Sequence, residues 1–97
     1  MHLTITSVVG TPQQTAEIEE FLTDFLPRLK KFPGVLSVYN YNIHKMGQGH
    51  TIIIWENEDA VKVYWSSELI KEPAEFAKKN NVTITRESHP LFIALTK

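Results

Sequence analysis

The sequence contains no cysteine. Disulfides, thiolate metal sites and cysteine nucleophiles are therefore excluded, and any chemistry must come from other side chains. No apolar stretch approaches the about 20 residues needed to span a bilayer. Residues 1–6 alternate in character and lack a basic segment followed by an apolar run, so no signal peptide is expected. Positive charge is not in excess: 10 Lys and Arg stand against 11 Asp and Glu, a net charge of −1. A nucleic-acid partner would need a clustered basic surface. Lys30-Lys31 and Lys78-Lys79 are isolated pairs near predicted helix ends, where they complement the helix dipole. Repeats, linkers and low-complexity segments are also missing. The expectation is a soluble, cytoplasmic protein with no nucleic-acid and no membrane partner.

What is present is an ordinary globular balance, 42% hydrophobic and 22% charged over 97 residues. That length fits one domain, residues 1–97, with a modest core. Leu3, Ile5, Ser7 and Val9 alternate with His2, Thr4, Thr6 and Val8, the period of a strand. Thr11-Pro12-Gln13-Gln14 reads as a helix start with a capping box. Ile18, Phe21, Leu22, Phe25, Leu29 and Phe32 then form one apolar helical stripe. Pro27 interrupts it, and a kink is expected there.

Pro33-Gly34 stops this helix. Residues 35–45 read as a strand with Val35, Ser37, Tyr39, Tyr41 and Ile43 on one face and Leu36, Val38, Asn40, Asn42 and His44 on the other. A Gly-rich turn at residues 46–49 leads into a strand over residues 50–56, a β-hairpin. Ile52-Ile53-Ile54 is apolar on both faces, which predicts a central strand covered on both sides. Asn57 is placed to cap a second helix with Ala60, Val63 and Tyr64 inward. Pro73 breaks or restarts helix, Phe76 faces inward, and Asn80-Asn81 suits a left-handed stop. Residues 82–86 and 91–96 read as final strand pieces. The order β-α-β-β-α-β is the ferredoxin-like split βαβ pattern, an α+β fold with a four-stranded antiparallel sheet. Helices cover one face of that sheet; the other keeps apolar and aromatic area that a second copy would cover.

Four short segments carry a family likeness: Phe32-Pro33-Gly34-Val35, Ile54-Trp55-Glu56, Glu58-Asp59-Ala60, and Tyr64 with Ser67-Glu68-Leu69. In these, and in element order over nearly its whole length, the chain resembles the antibiotic biosynthesis monooxygenase-like family of dimeric α+β barrels. The resemblance implies a homodimer with a pocket between helices and sheet in each subunit. It also implies a monooxygenase that needs no cofactor and acts on a phenol, an anthrone or a quinol. One branch of the family degrades haem with an Asn on the first strand, a Trp on the second helix and a His further on. The matching helical positions here are Tyr64 and Ala74, and residues 3–9 contain no Asn, so haem is not implied.

Cofactor-free oxygenation asks the protein to bind a flat aromatic, share its proton and stabilise its anion away from water. His44 and His50 flank the hairpin turn and are the candidate proton acceptors, or else exposed turn residues. Asn40 and Asn42 share a strand face although Asn is depleted in strands; they could orient a substrate oxygen or lie at a polar rim. Trp55, Tyr64 and Trp65 complete the candidate substrate-binding set, with packing as the competing role. Tyr39 and Tyr41 fit a dimer interface. His89 reads as a structural residue before Pro90, and His2 as incidental. Four histidines without close spacing give no metal site, and Gly47 and Gly49 lack the strand–loop–helix context of a phosphate loop. The alternative to an enzyme is a non-catalytic dimeric barrel that binds a small apolar ligand.

Overall fold

A computed structural model describes residues 1–96. The chain runs β1 (His2–Val9), a 3-10 turn (Pro12–Gln14), α1 (Thr15–Lys30), β2 (Val35–Ile43), a second 3-10 turn (His44–Met46) and β3 (Gln48–Trp55). It continues through α2 (Glu58–Trp65), α3 (Lys71–Asn80) and β4 (Thr83–Pro90). The four strands form one sheet in the order β2-β3-β1-β4, every neighbour antiparallel. This is the ferredoxin-like α+β architecture, and its helices all lie on one side.

Local chemistry explains the elements. The Gln14 side chain accepts the Thr11 N–H at 2.9 Å, and its amide reaches across to the Asn80 carbonyl at 2.6 Å. Ile18, Leu22, Phe25 and Leu29 form the buried stripe of α1. Pro27 sits inside α1 on its exposed side, together with Thr23, whose carbonyl has no N–H donor at position 27. Asn57 Oδ1 accepts from the Ala60 N–H at 2.9 Å and caps α2. Asn81, with φ of 54°, ends α3 in the left-handed conformation.

Four expectations change. A bulge between Val35 and Ser37 leaves Leu36 unpaired and shifts the alternation of β2. Val35 therefore joins the helix-facing side with Val38, opposite Trp55, and not the side of Tyr39 and Tyr41. In α2 the inner residues are Val61 and Tyr64, while Val63 is 59% exposed. β3 is central, but within the protomer helices cover only one of its faces: Thr51, Ile53 and Trp55 are buried and Ile52 and Ile54 are half-buried. Finally, β4 runs through His89-Pro90 as an edge strand paired with β1, and residues 91–96 form no strand.

Two apolar clusters fill the space between sheet and helices. One centres on Phe25, Leu29, Val35, Ile53, Trp55, Val61 and Tyr64. The other holds Val8, Ile18, Leu22 and Val82. No helix among the described residues is long and apolar enough to cross a membrane.

Candidate functional site

The strand registers align a polar row across the helix-facing side of the sheet. Asn40 on β2 pairs with Thr51 on β3, Thr51 with Thr6 on β1, and Thr6 with Arg86 on β4. Asn40 Nδ2 donates to Thr51 Oγ1 at 3.2 Å and to the His50 carbonyl at 3.0 Å. With its oxygen already accepting from Asn40, the Thr51 hydroxyl is left to donate its own proton.

Above this row α1, α2 and α3 border a small, partly open cavity of about 30 Å3. Phe21, Leu22, Phe25, Leu26, Leu29, Val8 and Ile53 make it mostly apolar; Thr6, Thr51, Tyr64 and Arg86 supply its polar groups, and Pro73 closes one side. The volume admits a water molecule and not an aromatic ring.

Tyr64 is 6% exposed and packs edge-on against Phe32, with ring centroids 5.4 Å apart. Burial pushes its phenol up to about 12, because the anion would lose its hydration; the positive charge of Arg86 works in the opposite direction. Tyr64 thus stays protonated at neutral pH, where its hydroxyl can donate a hydrogen bond but cannot act as a base. Arg86 is exposed, at the rim of the cavity.

The structure distributes the other expected site residues over three places. Asn42 and His44 meet through Glu19: its Oε2 accepts from Asn42 Nδ2 at 3.1 Å and lies 3.2 Å from His44 Nε2. With Asn40, Leu26 and Pro27, Asn42 lines an open groove of about 460 Å3 between α1 and β2. Asn42 Oδ1 is buried without a hydrogen-bond partner among the described residues. His50 lies on the opposite side of the sheet. Its Nδ1 is 2.8 Å from Ser7 Oγ, its Nε2 3.1 Å from Gln48 Oε1, and its ring stacks on Tyr41 at 4.9 Å. Neither histidine reaches the cavity, because His44 belongs to an exposed turn and the side-chain period of two turns His50 away from Thr51.

Trp55 has no exposure and spends its N–H on Thr4 Oγ1 at 2.9 Å. It is core, and it does not line the cavity. Trp65 is 42% exposed on the outer side of α2, about 100° around the helix from Tyr64. His2, read as incidental, is 6% exposed with Nε2 2.6 Å from Ser88 Oγ. Sequence reasoning missed Thr6, Thr51 and Arg86. One signal could have found Arg86: it stands two residues after the inward-facing Ile84, so alternation turns it toward the helices.

A ferredoxin-like sheet with a helix-covered pocket defines a broad class of α+β proteins. Within that class the chain has the fold of the antibiotic biosynthesis monooxygenase-like proteins. It is similar to a Deinococcus radiodurans protein provisionally named an antibiotic biosynthesis monooxygenase, with a TM-score of 0.87 and 14% identity over 100% of this chain and 98% of that one. SnoaB, a cofactor-independent oxygenase from Streptomyces nogalater, superimposes with a TM-score of 0.73 and 14% identity over 99% of this chain and 98% of its own. A Nitrosomonas europaea protein of unknown function matches with a TM-score of 0.74 and 15% identity over 99% and 94% of the two chains. No family model and no curated protein matches the sequence.

Proposed function

We propose that the protein is a cofactor-independent monooxygenase for a small phenol-, anthrone- or quinol-type molecule. The observation that supports this reading is the set of polar groups Thr51, Thr6 and Arg86 beneath Tyr64 in an otherwise apolar cavity, with Asn40 bonded to Thr51 at the end of their row. The substrate itself supplies the electrons. One oxygen atom of O2 enters it and the other leaves as water, with the four electrons drawn from the substrate. The protein's part is to favour the electron-rich anion and keep water away. Arg86 supplies the positive charge that lowers the substrate's pKa, and the hydroxyls of Thr51 and Tyr64 donate to the developing anion. No histidine lines the cavity, so in this reading ionisation is driven by Arg86 and the released proton leaves by the cavity rim. A ring enters only when the cavity opens, and the non-helical step between α2 and α3, residues 66–70, is the natural hinge.

A second reading is supported by the mostly apolar lining: a non-catalytic barrel that holds a small apolar molecule once the cavity widens. In both readings the sheet face away from the helices pairs with a second copy, supported by Tyr39 and Tyr41 exposed at 62% and 54%.

The test is anaerobic mixing with anthrones, naphthols and quinols, followed by oxygen uptake on admitting air, with no added metal, flavin or haem. Protein-dependent uptake that survives chelator and falls in Arg86→Leu and Thr51→Val supports the oxygenase. Absence of uptake, with a panel compound still raising the melting temperature, supports the binding protein.

A further inference from the structure

Pro27 weakens α1 and does not line the cavity, so neither the helix nor the cavity accounts for it. It lies in a row with Glu19 and Thr23, since a spacing of four residues stacks side chains along one face of a helix. All three border the open groove of about 460 Å3 between α1 and β2. This wall leaves two hydrogen-bond acceptors. Glu19 Oε2 is taken by Asn42 and His44, whereas Oε1 has no partner among the described residues. The Thr23 carbonyl meets no N–H at position 27, because proline has none to give. From the opposite wall Asn40 adds a third acceptor. Both hydrogens of its Nδ2 are spent, on the His50 carbonyl at 3.0 Å and on Thr51 Oγ1 at 3.2 Å. The amide therefore cannot turn over, and Oδ1 is left to accept.

We infer that this groove is a second binding site, for a small primary amine in its protonated form. An alkylammonium carries three N–H donors and no acceptor, the complement of a groove with three free acceptors. Glu19 supplies the opposite charge and is the only charged side chain among the described residues that line the groove. Leu22 and Leu26 give the ligand's carbon chain an apolar wall. The volume falls within the roughly 300–1,000 Å3 of small-molecule pockets. Lys30 borders the next stretch of the groove. Its backbone lies about 16 Å along the helix axis from Glu19, beyond the ~8 Å over which exposed charges act through physiological salt. Leu22 and Leu26 line both groove and cavity and stand between them. The site therefore holds or fails independently of the oxygenase reading.

Isothermal titration of the full chain with hexylamine hydrochloride tests the site. Two control ligands run beside it: hexyltrimethylammonium keeps the charge without the donors, and 1-hexanol keeps the chain without the charge. The expected result is saturable binding of hexylamine, with both controls weaker by about tenfold or more. Glu19→Gln should weaken hexylamine by about tenfold. Pro27→Ala returns an N–H to the Thr23 carbonyl and should weaken it about threefold while raising the melting temperature. Affinity that falls as stability rises is a combination that general damage to the fold does not produce. Shifts of the Asn40 side-chain amide in 15N-correlated NMR spectra locate the ligand. Absence of binding at millimolar hexylamine overturns the site. Equal affinity for hexyltrimethylammonium also overturns it, by reducing the contact to charge alone. So does binding that Glu19→Gln and Pro27→Ala both leave unchanged.

Discussion

Trp55 Nε1 donates to Thr4 Oγ1 at 2.9 Å inside the core. Thr4 lies on the strand next to β3, two residues along from His2, the register partner of Trp55, and is itself 3% exposed. The bond resolves an ambiguity that composition leaves open. A Trp near a pocket can be a ligand wall or a core residue, and here its one polar atom is already satisfied from within. Thr4→Val keeps the shape of the partner and removes the acceptor. The expected loss is about 1–3 kcal/mol, the cost of an unsatisfied buried donor. A urea midpoint that falls with an unchanged slope checks it.

Gly34 is held at φ of 89° where the chain turns from α1 into β2, and a Cβ there would come 2.4 Å from the Ala60 Cβ. Gly34→Ala combines backbone strain with that contact against the first turn of α2. It should destabilise by roughly 2 kcal/mol or more. Thermal unfolding of Gly34→Ala beside Gly34→Ala/Ala60→Gly separates the two causes, because the double variant relieves only the contact.

Arg28 ties α1 to α3. Its guanidinium meets both Glu72 oxygens, at 2.7 and 2.6 Å, and Asp24 at 2.8 Å. The hydrogen bonds from Arg28 hold the Glu72 carboxyl below the usual range. A depressed folded-state pKa contributes stability that is present above the unfolded value of about 4.3 and is lost as pH falls through the folded one. Arg28→Ala should therefore lower the melting temperature near neutrality, by a margin that shrinks as pH falls, so that the acid limb of the profile is flatter than in the natural chain. An acid limb of unchanged steepness would refute the linkage.

Tyr64 gives the opposite sign. Its folded-state phenol is raised to about 12, so it contributes stability at neutral pH that is lost as pH rises from about 10, the unfolded value, toward 12. Absorbance titration at alkaline pH should show a late tyrosinate step that Tyr64→Phe removes. If Tyr64 donates to a bound anion, the same variant weakens binding of a phenol without lowering the melting temperature at pH 7.

Pro27 occupies an exposed position inside α1, where it offers no N–H to the Thr23 carbonyl. Pro27→Ala restores a donor and should stabilise the protein by ~1–3 kcal/mol. Pro27 also lines the groove that holds Asn40 and Asn42. Isothermal titration of the panel compounds against Pro27→Ala would reveal whether the proline shapes binding as well: unchanged affinity limits its effect to the helix.

The fold was legible because local signals agreed with one another. The stripe of α1, the Pro33-Gly34 stop, the hairpin after Ile43, the Asn57 cap and the Asn81 stop are all short-range features, fixed by period and by backbone preference. The site was only partly legible. Asn40 and Tyr64 do reach the polar row and the cavity, whereas His44, His50, Trp55 and Trp65 do not. The reasons differ by residue: His44 lies in an exposed turn, alternation turns His50 to the opposite face, Trp55 is satisfied within the core, and Trp65 lies on the outer side of α2. The row that joins Asn40 to Thr51, Thr6 and Arg86 comes from pairings between residues up to 80 positions apart (Thr6 with Arg86). Sequence by itself determined the order of the helices and of the four strands, though not that residues 91–96 form no strand, and that one sheet face would stay apolar and uncovered. Only the tertiary structure decided which polar side chains meet, because that depends on strand order and register, and these are set by packing between distant segments.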